Sequence, residues 1–388
     1  MTQRLHAAAR VDLTAIRDNV AVLRSRAAGG AEVMAVVKAD GYGHGLLPSA
    51  RAALAGGATW LGTALLEEAL ALRAAGVTDP RLLAWLLGPG ERFGEAIAAD
   101  VDLSASAVWA VREIAEAARA VGEPARVHLK VDTGLSRGGA TTGDWPDVVE
   151  AAAKAEADGL LRVVGVWSHL AYADEPGHAT NARQARVFRE ALDVAAGAGL
   201  RPDVRHLANS AAALTAPEQH FDLVRPGIAV YGLSPVPEVA TSAQLGLRPA
   251  MTLTGSLALV KRVPAGSGVS YGHIYTTRAD TTLGVVPLGY ADGIPRAASN
   301  VGPVWAAGRR RTVAGRVCMD QIMVDLGDDA AEVGDEVVLF GPGDRGEPTA
   351  QDWADATGTI SYEIVTRVGP RVPRVYVGAA EVGAGVHT

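Results

Sequence analysis

The sequence predicts an α/β protein: an N-terminal (β/α)8 TIM barrel followed by a C-terminal, mainly β domain. Three observations carry that expectation. Between residues 10 and 240, short apolar runs rich in β-branched residues alternate with Ala/Leu/Glu-rich stretches of helical spacing. Parallel strands buried on both faces read as such continuous runs. Eight strand-then-helix units in about 230 residues match a closed barrel, which takes roughly 250. Beyond residue 240 the helical spacing gives way to short runs broken by Gly, Pro and Asp, the texture of a β domain. An open doubly wound sheet competes on pattern alone, but no G-x-G-x-x-G follows an early strand.

The eight candidate barrel strands are Glu32–Lys38, Thr59–Ala64, Arg81–Leu86, Asp100–Ser106, Arg126–Val131, Arg162–His169, Asp203–Asn209 and Asp222–Tyr231. Helices are expected at Leu65–Ala75, Ala107–Val121, Trp145–Ala157 and Asn181–Ala198, the first of them stopped by Gly76. The Pro-containing, polar stretch Ser234–Arg248 reads as a linker, placing the domains at 1–240 and 241–388. In the second domain, strands are expected at Thr252–Val263, Thr281–Pro287, Arg311–Cys318, Gln321–Leu326 and Glu336–Phe340, with helical spacing only around Thr349–Ala356.

Composition narrows the function. The chain has 388 residues, is 48% hydrophobic and carries a net charge of −7, which disfavours disorder and the usual basic nucleic-acid binder. A single cysteine, Cys318, rules out an intramolecular disulfide and suits a reducing compartment. Met1 to Val20 holds no signal-peptide core, and no apolar run reaches the ~20 residues that span a bilayer. A cytoplasmic protein is the expectation. Of 36 basic residues only four are lysine: Lys38, Lys130, Lys154 and Lys261. GC-rich coding explains the bias overall. A lysine retained against it is still a candidate for chemistry that arginine cannot perform.

Functional groups of a (β/α)8 barrel sit at the C-terminal ends of its strands. Lys38, Lys130, His169, Asn209 with Ser210, and Arg225 with Gly227 and Ile228 all fall at or near such ends. Any one of them alone reads as a satisfied structural polar group; their shared placement argues otherwise. Lys38 follows an apolar strand and precedes Gly41, Gly43 and Gly45. Desolvation there depresses a lysine pKa and makes the amine nucleophilic. A lysine that attacks a carbonyl forms a Schiff base, the usual attachment for pyridoxal 5′-phosphate (PLP).

The segment Val37-Lys38-Ala39-Asp40-Gly41-Tyr42-Gly43-His44-Gly45 resembles the PLP-lysine signature of alanine racemases. The resemblance continues, in order, through Trp60–Ala64, Lys130–Gly134, Ser168-His169, Asn209-Ser210, Arg225–Ile228, Val269–Gly272, Gly289–Gly293, Cys318–Asp320 and Thr359–Glu363. It implies a two-base racemisation of L- and D-alanine, with D-alanine supplied to peptidoglycan. It also implies a homodimer with shared sites, a small amino acid as substrate, and neither nucleic acid nor membrane as partner.

By the same resemblance Lys38 carries PLP. Tyr42, Ser210, Gly227, Ile228 and Tyr362 hold its phosphate, His169 packs on the ring with Asn209 nearby, and Arg225 donates to the pyridine nitrogen. An arginine in that position leaves the ring a weaker electron sink than an acid would, which favours racemisation over transamination. Lys38 serves one face of the substrate and Tyr271, from the partner subunit, the other. Met319, Tyr290, Asp320 and Arg137 border the substrate. Lys130 is expected as a carbamylated lysine (N6-carboxylysine) orienting Arg137 toward the 3′-oxygen of PLP, so Arg137 is expected to bind the cofactor as well as the substrate. Ser136 stands where the family often has glycine. No metal site is expected. A PLP decarboxylase lacks support in the motifs, and a non-catalytic PLP-binding barrel would lack the domain bearing Tyr271. A broader racemase acting also on serine or lysine is the remaining alternative.

Overall fold

The first strand of the computed structural model, β1 (Ala7–Asp12), does not join the barrel. The structure describes residues 6–382. The barrel begins with β2 (Glu32–Val36) and continues through β3 (Trp60–Thr63), β4 (Arg81–Ala84), β5 (Asp102–Ala105), β6 (Ala125–Lys130), β7 (Leu161–Trp167), β8 (Val204–His206) and β9 (Leu223–Val224). All are parallel and lie side by side in chain order, and β9 pairs with β2. A parallel bridge between Asn209 and Arg225 closes the ring. Each strand coincides with one of the eight runs expected. The last is shorter than its run: beyond Val224 come Pro226 and Gly227, and Ile228–Tyr231 winds as a 3-10 turn.

The four expected helices occur at Leu66–Ala74, Val108–Val121, Trp145–Ala157 and Ala179–Gly197. Further helices at Leu13–Arg26, Leu46–Ala55, Phe93–Ala98 and Ser210–Thr215 are ones for which the sequence reading sets no bounds. Leu13–Arg26 starts where Asp12 Oδ1 accepts the N–H groups of Thr14 and Ala15, a side-chain N-cap.

The C-terminal lobe holds β10 (Met251–Ser256), β11 (Leu259–Val263), β12 (Gly268–Val269), β13 (Tyr275–Thr276), β14 (Thr281–Val286), β15 (Pro303–Ala306), β16 (Arg309–Thr312), β17 (Ile322–Gly327), β18 (Glu336–Phe340) and β19 (Arg374–Val377). One sheet runs β16-β15-β18-β10-β1-β19; a second runs β11-β14-β17; β12 and β13 form a ribbon. The expected strand Thr252–Val263 is therefore two strands in two sheets. The switch occurs where Leu257 donates its N–H to Asp335 O and Ala258 donates to Val285 O. The run Arg311–Cys318 also breaks. Gly315, at φ +85°, turns the chain after β16 and leaves Cys318 in a loop. The expected helix is present at Ala350–Thr357, capped by Thr349. Residues 7–12, expected in the barrel domain, lie in the C-terminal lobe between β10 (antiparallel) and β19 (parallel).

Candidate active site

A cavity of about 680 Å³ opens at the C-terminal ends of the barrel strands. Lys38, Tyr42, Lys130, Arg137, His169 and Asn209 line it, together with Ser210, Arg225, Gly227, Ile228 and Tyr362. Eleven residues singled out from the sequence are thus brought together on one concave surface.

Lys38 follows β2 and enters a turn wound the wrong way. Ala39, Asp40, Gly41 and Tyr42 all have φ between 52° and 61°. Left-handed backbone costs an L-residue about 1–2 kcal/mol, so neighbours must hold this turn in place. Glu68 Oε1 accepts the Ala39 N–H at 2.6 Å, and Asp40 Oδ1 accepts the Leu46 N–H at 2.7 Å. Burial, helped by the Arg137 cation and opposed by Glu68, lowers the Lys38 amine from 10.5.

Lys130 ends β6 with its Nζ 4.3 Å from the centre of the Trp167 ring. Burial, then the cations Arg225 and Arg137, bring its amine down to about 8. Asp132 does not neutralise it by direct pairing, because its Oδ1 accepts the N–H groups of Gly134, Leu135 and Ser136. Arg225 is buried. Its Nη2 donates to Ser168 O at 2.6 Å and Leu207 O at 3.2 Å and lies 3.4 Å from His169 Nδ1. Burial lowers its guanidinium to about 9, still cationic at neutral pH.

Another wall of the cavity is built of hydroxyls and backbone amides. Gly227 N–H donates to Ser210 Oγ at 2.7 Å. The rings of Tyr42 and Tyr362 stand 6.4 Å apart, and burial pushes the Tyr362 phenol up to about 12. Gly227 is required here: a Cβ on it would lie 2.2 Å from Tyr42 Oη. Neutral donors on a wall that no side chain can fill suit an anionic phosphate. With an amine of lowered pKa and a buried arginine in the same cavity, the residues fit PLP.

The other four candidates lie elsewhere. Tyr271, Met319, Tyr290 and Asp320 sit together on the C-terminal lobe and do not line this cavity. Ser270 Oγ donates to Arg316 O at 2.8 Å, Tyr290 N–H donates to Cys318 O, and Ala291 N–H donates to Met319 O. Asp320 pairs with Arg371 at 2.8 Å. Tyr271 is 73% exposed and Met319 53%, so both are unusually open for their type.

Sequence reasoning missed several neighbours. Trp85 and Trp167 line the cavity, and Glu68 steadies the lysine turn from the first turn of its helix. Asp102, His128 and His206 lie behind Arg225 inside the barrel. Part of the signal was present: Asp102 and His128 stand at alternate polar positions within runs that otherwise read as buried, whereas His206 follows Arg205 directly and breaks the alternation.

Comparison with known proteins matches this arrangement. The alanine racemase N-terminal domain family matches residues 11–235 and the C-terminal domain family residues 250–376. The alanine racemase of Frankia casuarinae is 66% identical over 96% of this chain and 97% of its own length. The solved alanine racemase of Streptomyces coelicolor superposes with a TM-score of 0.95 at 64% identity, covering 96% of this chain and 98% of that one. The enzyme from a D-cycloserine-producing Streptomyces lavendulae does so with a TM-score of 0.95 at 58% identity, covering 97% and 98%. Barrel, second lobe and full-length identity agree: the chain belongs to the alanine racemase family.

Proposed function

We propose that this protein interconverts L- and D-alanine with PLP as cofactor, through two bases on opposite faces of the substrate. The carrying observation is the meeting of Lys38 and Arg225 in one cavity whose Ser210–Gly227–Tyr42 wall suits a phosphate. When bound, PLP withdraws electrons from the substrate and acidifies its Cα–H. Every other part falls to the chain. Lys38 would hold the cofactor and would hold or deliver the Cα proton on one face of the substrate. Burial and the Arg137 cation lower its pKa, which makes the neutral amine easier to reach. Tyr42, Ser210, Gly227, Ile228 and Tyr362 orient the phosphate; His169 and Asn209 steady the ring. Arg225 would donate to the ring nitrogen and keep its proton. Arg137 meets the substrate carboxylate, and Lys130, as a carbamate, would neutralise and aim it.

Tyr271 is the second base in this reading. It lies outside the cavity of its own chain, and its exposure leaves it available to another. A head-to-tail homodimer in which each site receives the partner subunit's Tyr271 and the partner subunit's Met319 is therefore part of the proposal, with Tyr290 and Asp320 at the entrance. A soluble cytoplasmic enzyme fits, and no helix among the described residues is long and apolar enough to cross a membrane. Purified enzyme with L-alanine is expected to yield D-alanine in a coupled oxidase assay. Mixed Lys38→Ala and Tyr271→Ala subunits are expected to regain partial activity that neither has alone. No D-alanine from the wild type overturns the reading, and no recovery on mixing overturns the shared site. Parallel assays with L-serine and L-lysine measure how strict the pocket is.

A further inference from the structure

A run of hydrogen bonds crosses the barrel interior behind the cavity. Arg225 Nη1 lies 3.1 Å from His206 Nδ1, His206 Nε2 lies 2.9 Å from His128 Nδ1, and His128 Nε2 lies 3.1 Å from Asp102 Oδ2. All four residues are buried, none more than 4% exposed. Beyond them Arg81 reaches Asp102 Oδ2 at 2.7 Å and Arg126 reaches Oδ1 at 2.6 Å, and both arginines are partly open to solvent.

The inventory of protons gives this run a direction. A carboxylate only accepts and a guanidinium only donates. His128 must then carry its hydrogen on Nε2, toward Asp102, leaving Nδ1 as acceptor. His206 in turn carries its hydrogen on Nε2 and accepts from Arg225 at Nδ1. One assignment satisfies all three bonds, with a cation at one end, an anion at the other and two neutral imidazoles between. The packing is built around it. A Cβ on Gly165 would fall 2.1 Å from His128 Nδ1, the β6–β7 register shifts between Val127 and His128, and Trp167 stacks flat on His206 at 5.6 Å. Burial, opposed by Asp102, holds His128 below 6.5, and burial with the nearby Arg225 cation holds His206 there too.

We propose that Asp102, His128 and His206 are positioning residues that carry the influence of a remote carboxylate to Arg225, fixing its cationic form and the aim of its remaining N–H groups into the cavity. The proposal rests on the reading above, in which Arg225 donates to the ring nitrogen of PLP. Among the described residues no carboxylate pairs directly with Arg225, so none competes with the cofactor for its donors. The anion acts instead through two imidazoles. Without it the guanidinium becomes a stronger acid and passes its proton to the ring more readily. A protonated ring favours a side reaction that needs no further reactant: alanine and PLP become pyruvate and pyridoxamine phosphate. In that step alanine gives its Cα proton, its amino group and two electrons to the cofactor, whose aldehyde oxygen leaves as water while a second water supplies the ketone oxygen of pyruvate.

The test uses holoenzyme labelled with ¹⁵N-histidine. In the wild type the signals of His128 and His206, told apart from those of the buried His44 and His220 by their loss on substitution, are expected to be slowly exchanging N–H groups, both on Nε2 and both unchanged between about pH 6 and 8, where a free histidine titrates. Asp102→Asn should displace both signals, including that of His206 one ring away. It should also raise pyruvate formed per racemisation about tenfold, the change that one pKa unit at Arg225 represents. His206→Asn ends the run one residue earlier, leaves the ion cluster intact and carries the same expectation for pyruvate. A pyruvate ratio unchanged in both variants overturns the proposal, and so does a wild-type His206 protonated on Nδ1. Absence of alanine racemisation in the wild type would instead fail the preceding reading, while the histidine signals still decide the proton arrangement.

Discussion

Ser136 sits at φ +57°, in the left-handed region that glycine enters freely. The glycine common at this position in the family is thus a backbone requirement, and serine meets it under strain. Ser136→Gly is expected to stabilise the protein by about 0.5–1 kcal/mol: relief of roughly 1–2 kcal/mol of left-handed strain, less the added unfolded-state entropy of glycine. The urea midpoint measures it. Gly227 presents the converse case. Gly227→Ala would press a methyl group against Tyr42 Oη, which is packed beside Tyr231 at 4.9 Å. The expected result is a folded protein that loses its cofactor absorbance on dialysis. The sequence marked both loops through their motifs. It did not show that the turn after Lys38 is left-handed, because three of its five residues carry side chains that ordinarily forbid that conformation.

Elements were legible where burial is uniform and contacts are near in sequence. The eight barrel strands stood out because both of their faces are covered, so the apolar run itself is the signal. Strand β1 did not, since its burial is mixed and its partners lie far along the chain. The join between β10 and β11 was hidden for a related reason: a strand that changes sheets keeps its apolar character across the change. Asp102, His128 and His206 were overlooked because polar residues inside a barrel interrupt a pattern without naming a partner. They bear on stability at the level of the strands that carry them. His128 and His206 are held below 6.5 in the folded state, whereas the unfolded chain binds a proton at about 6.5. Their contribution is complete above that value and is lost as pH falls through and below it. Burial alone would raise Asp102, but the His128 hydrogen bond with Arg81 and Arg126 lowers it below 3.8. Its contribution is lost only in stronger acid. Urea midpoints measured from about pH 8 to 4 should therefore decline below about 6.5. The decline should be shallower in a His206→Asn variant.

At the scale of the molecule, two lobes were legible but not the way they are tied. Ala9 and Val11 are fully buried in β1, between strands of the second lobe, while the helix that follows packs beside the barrel. Ala9→Pro, which removes the N–H that Ala9 donates to Pro373 O, is expected to lower the unfolding temperature of both lobes together. Separate near-ultraviolet signals from Trp145 in the barrel and Trp353 in the second lobe would report it, and loss in one lobe alone would contradict the coupling.

The same strand imposes an order of events on a chain emerging from a ribosome. Ala7 faces Gly255 and Asp12 faces Val377. At about 5–20 residues per second, the first strand waits on the order of ten seconds or more before either neighbour has been made. All eight barrel strands are synthesised in that interval, so the barrel can close around its own axis while its leading segment stays unpaired. An edge held open that long is a target for chaperones and for pairing between nascent chains. The last residues of the second lobe then act as a latch, turning a barrel with a loose end into a closed molecule.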